Sequence, residues 1–321
     1  MSRYARQEIL PEIGPVGQEK LREARVLVVG AGGLAAPVLQ YLAGAGLGRL
    51  TVMDGDTVSQ SNLHRQTLFH GDQVGQSKAR VAADFAHALN PDVTVEAVET
   101  WFDPTSGADH VARADIVLDC ADTYAVSLGL SDLCLACSKP LITASVLAFA
   151  GYALGCCGSA PSLRAIFPEL PAGGATCATA GVSGPIVGII GALQAQMALS
   201  AVLGLTPSPL GQLVRFDAKT WRSAQFRFDQ APEPARPMRF IGETALRDED
   251  VIIDLRDEMA KPFDQRARHV LPSDIAQLAP AEDRRVVLAC RTGLRAHRAG
   301  EVLQQQWPGE IALLAVNDPN R

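Results

Sequence analysis

The sequence predicts an α/β protein with a doubly wound, mainly parallel sheet and a second, smaller α/β unit. Short apolar runs rich in β-branched residues end in glycine or an acid, and helical stretches alternate with them. A proline-rich stretch near residue 230 then separates these repeats from a last group of similar elements. The composition agrees with this fold class, because 47% of the residues are hydrophobic and only 5% are aromatic.

The first βαβ unit is predicted near the N-terminus. Arg25 to Gly30 (RVLVVG) has the pattern of a buried strand, and a glycine-rich turn and an apolar helix follow it. Leu50 to Asp54 (LTVMD) is the next buried strand, ending on an acid. Further strands are predicted at 94–98, 116–120 and 141–144, and helices at 78–89 and 127–137.

The segment 229–237 (DQAPEPARP) interrupts every periodicity with three prolines and is predicted to be a linker. We therefore expect a nucleotide-binding domain over 1–228, a linker over 229–241 and a smaller domain over 242–321. Strands at 251–255 (VIIDL) and 286–289 (VVLA) are predicted within the smaller domain.

Charge and composition narrow the function classes. The net charge of −6 gives no electrostatic reason to expect nucleic acid. The N-terminus lacks the apolar core of a signal peptide, so we expect a cytoplasmic protein with its seven cysteines reduced. The charge-free segment 184–205 approaches the length of a membrane span, but Gln194 and Gln196 near its middle favour a buried or dimer-interface helix and no membrane partner.

The turn after the first strand fits a nucleotide site. Gly30, Gly32 and Ala35 match G-x-G-x-x-[GA], a turn that brings backbone N–H groups close to phosphates, and Asp54 is placed to bind ribose. This pattern alone would suggest NAD. The cationic and amide groups of SNLHRQ, followed by Lys78, favour ATP with Mg²⁺ instead, because a departing pyrophosphate needs neutralisation.

Five motifs, RYARQ, GAGGL, the D-x-D of Asp54 and Asp56, SNLHRQ and VGQSKA, stand in the order and spacing of the MoeB/ThiF/HesA family. The chain from Arg3 to Phe228 thus resembles these ubiquitin-activating-like adenylyltransferases. The resemblance implies ATP-dependent adenylation of the C-terminal Gly-Gly carboxylate of a ubiquitin-like sulfur-carrier protein. Molybdopterin synthesis, thiamin synthesis, tRNA thiolation and secondary metabolism use such carriers, and no residue selects among them.

The resemblance also implies roles for individual residues. Gly33 would lie against the nucleotide, Asp54 would hold the ribose, and Asp122, followed by Thr123, would support Mg²⁺ and adenylate formation. Arg6 would reach the ATP of a partner chain, which implies a homodimer. The residues expected to face the nucleotide and its phosphates are Gly30, Gly32, Ser61, Asn62, Arg65 and Lys78. By itself, Asp122 would also fit a helix N-cap.

The chain departs from the family at several positions. Ser162 and Ala165 stand where the family has its first zinc-binding cysteine pair, and the second pair is missing from APEPARP, so we expect no structural zinc. Core packing is also the expectation for Cys134 and Cys137, and a zinc site is not expected for them with Cys156 and Cys157. Thr123 replaces an asparagine of the family, and Ser127 replaces an arginine.

Two cysteines are candidate sulfur or thioester sites. Cys177 aligns with a family cysteine that some members use for thioester or persulfide linkage, although it is also compatible with an inert thiol. Cys290 opens CRTGLR, a loop of backbone N–H groups in which Arg291 and Arg295 would stabilise a thiolate or persulfide.

This C-terminal region resembles the active loop of rhodanese domains, with DLRDE at 254–258 and His269 as looser landmarks. The resemblance implies a persulfide sulfur donor. Because AVNDPNR replaces the usual closing L-x-G-G, the module is expected to be shortened, and a degenerate structural remnant is the alternative to active sulfur transfer. Two further functions stay open: activation of a peptide or ubiquitin-like protein through a Cys177 thioester, and a scaffold without turnover.

Overall fold

The computed structural model describes residues 3–169, 181–256, 263–278, 280–281 and 283–316, and its strands form two sheets. The larger sheet has the order β3-β2-β1-β4-β5-β6-β7-β8. The first five strands are parallel, and the last three run antiparallel to their neighbours. The strands are β1 (Arg25–Val29), β2 (Arg49–Met53), β3 (Thr94–Val98), β4 (Ile116–Asp119), β5 (Pro140–Leu147), β6 (Ala150–Cys157), β7 (Gln212–Asp217) and β8 (Arg222–Arg227).

The parallel half of this sheet confirms the prediction, and the antiparallel half corrects it. Strands β1, β2, β4 and β5 lie where continuous apolar runs predict them, since they are largely buried between the helices. The edge strand β3 also has its predicted bounds, although none of its residues is fully buried. The sheet is mixed rather than mainly parallel, because β6, β7 and β8 extend it beyond β5. All six residues of the edge strand β8 are exposed, so its sequence has no burial pattern to detect.

Helices cover both faces of the larger sheet and one face of the smaller one. The predicted helix at 78–89 has those bounds in the structure, and the helix predicted at 127–137 begins three residues earlier. The helices are α1 (Ala5–Glu8), α2 (Gly14–Glu23), α3 (Ala35–Gly44), α4 (Lys78–Leu89), α5 (Ala108–Arg113), α6 (Tyr124–Ala136), α7 (Leu163–Ile166), α8 (Gly184–Leu203) and α9 (Leu294–Gln306).

The charge-free segment forms α8, which packs on α3, β5 and β6. Its length and composition would allow a membrane span, yet half of its most apolar 18-residue stretch is buried inside the protein. Gln194 has no exposed surface, and its Nε2 donates hydrogen bonds to the carbonyl oxygens of Asp119 (2.7 Å) and Ile142 (3.0 Å). This helix therefore belongs to the core, as predicted, although one side of it remains open.

The open side of α8 and the adjacent side of α3 border a groove of about 400 Å³, which we call the α3/α8 face. Tyr41 of α3 is 57% exposed and Ile189 of α8 is 44% exposed. Glutamines, small residues and one leucine line the rest of the groove: Gln7, Gln40, Gly44, Ala45, Ala192, Ala195, Gln196 and Leu199. An apolar face of this kind is typical of surfaces that another protein covers.

The smaller sheet is parallel throughout, with the order β11-β10-β12-β13-β9. Its strands are β9 (Arg239–Ile241), β10 (Val251–Asp254), β11 (Arg268–His269), β12 (Val286–Cys290) and β13 (Ile311–Ala315), of which β10 and β12 were predicted. One continuous apolar cluster contains side chains from both sheets, including Leu128 and Leu163 on one side and Met238 and Phe240 on the other. The second sheet therefore packs directly against the α6 side of the first.

Candidate functional site

The glycine turn after β1 lies against the turn that follows β4. Gly30 has φ +90°, and a Cβ built on it would lie 2.7 Å from the carbonyl oxygen of Cys120. Only glycine fits there, both for its backbone conformation and for its close approach. The following helix, α3, has no side-chain cap at its N-terminus, so its first N–H groups are available to bind an anion.

Asp54, at the end of β2, is bonded to the glycine turn. Its Oδ2 accepts a hydrogen bond from the Ala31 N–H and its Oδ1 accepts one from the Asp56 N–H, both at 2.7 Å. Burial raises the pKa of Asp54, while these N–H groups and the Lys78 charge oppose that rise. Each carboxylate oxygen keeps a second lone pair, so these two hydrogen bonds leave Asp54 able to accept further ones.

Lys78 is a buried cation beside this carboxylate. It is the first residue of α4, only 5% of its surface is exposed, and its Nζ lies 2.6 Å from Oδ2 of Asp56. The Ser77 hydroxyl caps the helix by accepting from the Arg80 N–H. The structure therefore brings Lys78 to the two acids of the D-x-D motif, next to the glycine turn.

The SNLHRQ segment passes over Gly33. A Cβ on Gly33 would lie 3.3 Å from the Arg65 carbonyl oxygen and 2.7 Å from Cγ1 of Val187 in α8. The Arg65 Nη1 donates to the Ser61 carbonyl oxygen at 3.3 Å, and the Asn62 carbonyl oxygen accepts from the Arg65 N–H. Ser61, Asn62 and Arg65 thus lie in one short turn beside the predicted phosphate position.

Gln66 is a site residue for which the sequence indicated no role. It is 5% exposed, and its Nε2 lies 3.6 Å from where a Cβ of Gly32 would be. Its Oε1 has no hydrogen-bond partner in the part of the chain that the structure describes. The motif contained Gln66, but only the fold reveals that its carboxamide lies beneath the glycine turn.

Asp122 lies on the same edge of the sheet. It is exposed and follows the Cys120–Ala121 peptide on which Gly30 packs. The N-cap of α6 is Thr123, whose side chain makes no capping hydrogen bond, so the structure does not support the N-cap interpretation of Asp122. Asp122 therefore stands near the glycine turn with its carboxylate exposed, in a position to contact a nucleotide or its metal ion.

A second acid of this turn, Asp119, is fully buried and was not predicted as a site residue. Its Oδ2 accepts from Thr143 Oγ1 (2.7 Å) and its Oδ1 accepts from the Ala121 N–H (3.1 Å), and the Ser127 side chain also bonds to it. Burial raises the pKa of Asp119 to about 6, against the effect of these hydrogen bonds, and the Asp122 charge raises it further.

The structure does not bring Arg6 to the nucleotide residues of its own chain. Arg6 lies on α1, where Gln7 donates to Gln18 Oε1 (2.7 Å) and to the Ala45 carbonyl oxygen (3.1 Å). Ala45 is at the C-terminal end of α3, about 15 Å along that helix from the glycine turn. Arg6 therefore lies beside the α3/α8 face.

Cys290 ends β12 and is buried, with 2% of its surface exposed. The Ala296 N–H points to its Sγ at 3.4 Å, in keeping with the predicted loop of N–H groups. Gly293 in this loop has φ +81°, and a Cβ there would meet the Phe240 ring at 2.5 Å and Cβ of Ala125 at 3.0 Å. The loop therefore packs on the first turn of α6, three residues after Asp122.

The other landmarks of the C-terminal region meet beside this loop. Asp254 is fully buried and forms an ion pair with Arg256 at 2.7 Å. His269 Nε2 lies 2.9 Å from the Arg256 carbonyl oxygen, and Arg295 Nη1 donates to the Leu255 carbonyl oxygen at 3.3 Å. Arg291 is exposed. Cys177, the other candidate thiol, lies outside the described residues.

A hydrogen-bonded link joins the two segments for which the sequence predicted missing zinc ligands. Ser162 donates through its N–H (2.7 Å) and its Oγ (2.6 Å) to the two carboxylate oxygens of Glu233. Cys134, Cys156 and Cys157 are buried in the core, while Cys137 is exposed. Among the residues described, no group of three or more His, Cys, Asp and Glu side chains could hold a metal ion.

Comparison with known proteins identifies relatives of the region that carries the glycine turn. A model of the ThiF family matches residues 4–237. The chain is 42% identical over 220 residues to the SAMP-activating enzyme E1 of Haloferax volcanii, covering 68% of this chain and 82% of that protein. It is 40% identical over 235 residues to the sulfur carrier protein ThiS adenylyltransferase of Escherichia coli, covering 70% and 91%.

A third relative and a solved structure complete the comparison. The adenylyltransferase and sulfurtransferase MOCS3 of Bos taurus is 43% identical over 219 residues, covering 67% of this chain but only 48% of that protein. The structure of E. coli MccB with ATP has a TM-score of 0.62 at 22% identity, covering 73% of this chain and 74% of that one. At that identity it shows a shared fold.

Proposed function

The chain belongs to the ThiF family of adenylyltransferases, and from this we propose that it joins AMP from ATP to the C-terminal Gly-Gly carboxylate of a ubiquitin-like sulfur-carrier protein. Relatives at about 40% identity are named for activating ThiS or SAMP. The observation that carries the proposal is the hydrogen bond from the Ala31 N–H to the Asp54 carboxylate. It joins the glycine turn to the acid that would bind ribose, and Lys78 lies beside them.

The residues at this edge suit adenylation. The carrier carboxylate would attack the α-phosphorus of ATP, forming an acyl–phosphate bond while the bond to pyrophosphate breaks. No general base is needed, because a carboxylate is ionised at neutral pH. Positioning and charge neutralisation then supply the rate, and Lys78 and Arg65 would neutralise the departing pyrophosphate.

Mg²⁺ fits the site at Asp122. This ion prefers one or two carboxylates together with phosphate oxygens and water, and Asp122 is an exposed carboxylate next to the glycine turn. When bound, Mg²⁺ would supply positive charge to the phosphates of ATP. Asp122 would hold the ion, and Ser61, Asn62 and Thr123 would complete the polar surroundings.

We further propose a homodimer formed through the α3/α8 face. The exposed Tyr41 and Ile189 lie on this face, and Gln7 of α1 borders its groove. Arg6, next to Gln7, would then extend toward the ATP of the partner chain. This arrangement accounts for an arginine that is remote from the nucleotide residues of its own chain.

Sulfur transfer by a rhodanese-like second domain is a further part of the proposal. The sequence predicted this domain over 242–321 after a linker over 229–241, but strand β9 (Arg239–Ile241), at the end of that linker, belongs to the smaller sheet. A sulfane sulfur donor would convert the Cys290 thiolate to a persulfide. The terminal sulfur would attack the acyl carbon of the carrier adenylate, releasing AMP and forming an acyl disulfide. A thiol attacking Sγ of Cys290 would then release the thiocarboxylate and leave a mixed disulfide on Cys290. Packing of the Cys290 loop on α6, beside Asp122, supports this transfer.

The test is carrier-dependent exchange of labelled pyrophosphate into ATP. We expect exchange with Mg²⁺ and a carrier ending in Gly-Gly, and background exchange when the same carrier lacks its last two glycines. Background exchange with every Gly-Gly carrier tested, or tight binding of NAD with no binding of ATP, would contradict the proposed function. A conjugate that is sensitive to reducing agents and lost in Cys177→Ala would instead favour the thioester alternative.

A further inference from the structure

Asp119 has an unusual environment for an ionisable group so close to a nucleotide site. The residue is fully buried, and in the described part of the chain its hydrogen-bond donors are one backbone N–H and two hydroxyl groups, with no cation among them. Ser127 supplies one of those hydroxyls from the second turn of α6. Burying a carboxylate without a cationic partner costs stability.

The hydrogen bond to Ala121 connects this carboxylate with the candidate site. It closes a turn from Asp119 to Ala121, and we call residues 119–122 the Asp119 turn. The Cys120–Ala121 peptide of this turn is the surface on which Gly30 packs, and Asp122 follows directly. The position of the Asp122 carboxylate therefore depends on a turn that Asp119 holds from beneath.

We infer that Asp119 is a positioning residue for adenylation, acting as the hydrogen-bond acceptor that keeps Asp122 beside the glycine turn. This inference rests on the proposed function. Asp119 is sealed beneath the turn and does not touch the nucleotide. The glycine turn has separate support, because Asp54 holds the Ala31 N–H from the other side. Loss of Asp119 should thus affect the reaction step more than the binding of ATP.

Three variants separate positioning from general stability. Asp119→Ala removes the acceptor, Asp119→Asn keeps an acceptor oxygen without the charge, and Thr143→Val removes a different hydrogen bond of the same carboxylate. Asp115→Asn is the matched control, because Asp115 precedes β4 at the opposite end and pairs with Arg25 on the surface. Turnover in pyrophosphate exchange and KM for ATP are measured well below each melting temperature.

We expect Asp119→Ala to lower turnover at least 10-fold with less than a 3-fold change in KM for ATP. Asp119→Asn should restore turnover to within about 3-fold of the original chain, since good acceptor geometry is what positions the turn. Thr143→Val and Asp115→Asn should stay within 3-fold. Unchanged turnover in Asp119→Ala, or equal losses in Asp119→Ala and Asp119→Asn, would overturn the inference.

Hydrogen exchange provides a readout that needs no carrier. In Asp119→Ala, peptides covering residues 119–124 should exchange at least 10-fold faster than in the original chain, and Asp119→Asn should reverse most of this change. If exchange in these peptides is unchanged, the inference fails even when adenylation is active. If pyrophosphate exchange is absent from the original chain, the proposed function fails, and the hydrogen-exchange result still decides whether Asp119 holds the turn.

Discussion

The Nζ of Lys78 lies 2.6 Å from Oδ2 of Asp56, and this ion pair is buried on the lysine side only. The Lys78 side chain is 7% exposed, whereas that of Asp56 is 45% exposed. The Lys78 ammonium is already held in one position, so it can bind phosphate oxygens in place of Asp56, or together with it, without a further loss of side-chain freedom. The pair therefore keeps Lys78 in place for a more highly charged ligand.

Replacing Lys78 by methionine should lower turnover in pyrophosphate exchange by about 100-fold or more, because one charge that stabilises the transition state is lost. The matched control is Arg80→Met, two residues further along α4, whose cation pairs with Glu99 on the surface. We expect that control to retain turnover within about 2-fold, since exposed ion pairs contribute little. Equal losses in both variants would argue against a phosphate role for Lys78.

Stability should depend on pH through Asp119. Its folded pKa of about 6 is raised above the usual value of 3.8, so its contribution to stability is fully present below the unfolded pKa and is lost as pH rises through 6. The free energy of unfolding of Asp119→Asn, minus that of the original chain, should therefore increase by about 1–2 kcal/mol between pH 5 and pH 8. Urea unfolding at the two pH values measures it. If the difference in the free energy of unfolding between the two chains is the same at both pH values, the Asp119 charge does not make stability depend on pH.

The Ser162–Glu233 link should stabilise the chain without a metal ion. Glu233→Ala removes the acceptor for two hydrogen bonds and should lower the free energy of unfolding by about 1–3 kcal/mol. Glu243→Ala, at an exposed position, is the control and should change it by less than about 0.5 kcal/mol. A chelator should leave the melting temperature of the original chain unchanged; a decrease would reveal a bound metal ion.

The α3/α8 face should govern the oligomeric state. Ile189→Asp introduces a charge on the exposed side of α8 and should convert a dimer to a monomer in light-scattering chromatography, with at least a 10-fold loss of pyrophosphate exchange if Arg6 acts across the interface. Trp221→Ser is the control, because Trp221 is 80% exposed in the turn between β7 and β8. A monomeric original chain with full exchange activity would contradict this proposal.

Sulfur transfer should occur within one chain, because the Cys290 loop packs on the α6 of the same chain. A mixture of Asp122→Asn and Cys290→Ala chains, exchanged into mixed dimers, should adenylate the carrier yet form no more thiocarboxylate than the separate variants. Thiosulfate and a thiol reductant serve as sulfur source and acceptor. Thiocarboxylate formed by the mixture well above the level of either separate variant would indicate transfer between chains.

Strands were predictable from sequence where both faces are covered. β1, β2, β10 and β12 are short continuous apolar runs, which is the pattern of a buried parallel strand. β8 faces solvent and β7 is only partly buried, so neither has such a pattern and their pairing became visible only in the fold. The mixed character of the sheet depends on these strands.

The candidate site also has some residues that the sequence predicted and others that only the fold revealed. Gly30, Asp54 and Lys78 belong to local motifs whose spacing indicates a nucleotide, and the structure brings them together. The burial of Gln66 and Asp119 depends on residues distant in sequence, such as Thr143 on the neighbouring strand. A role that arises from tertiary contacts of this kind has no signal in the local sequence.

The apolar cluster common to the two sheets has a consequence for shortened forms of this protein. A polypeptide ending after β8 would lack Met238 and Phe240, and Leu128 and Leu163 would lose part of their cover. Freshly uncovered hydrocarbon of this kind promotes self-association. Natural or engineered versions without the C-terminal region would therefore need polar replacements on α6 and α7 to stay dispersed in water.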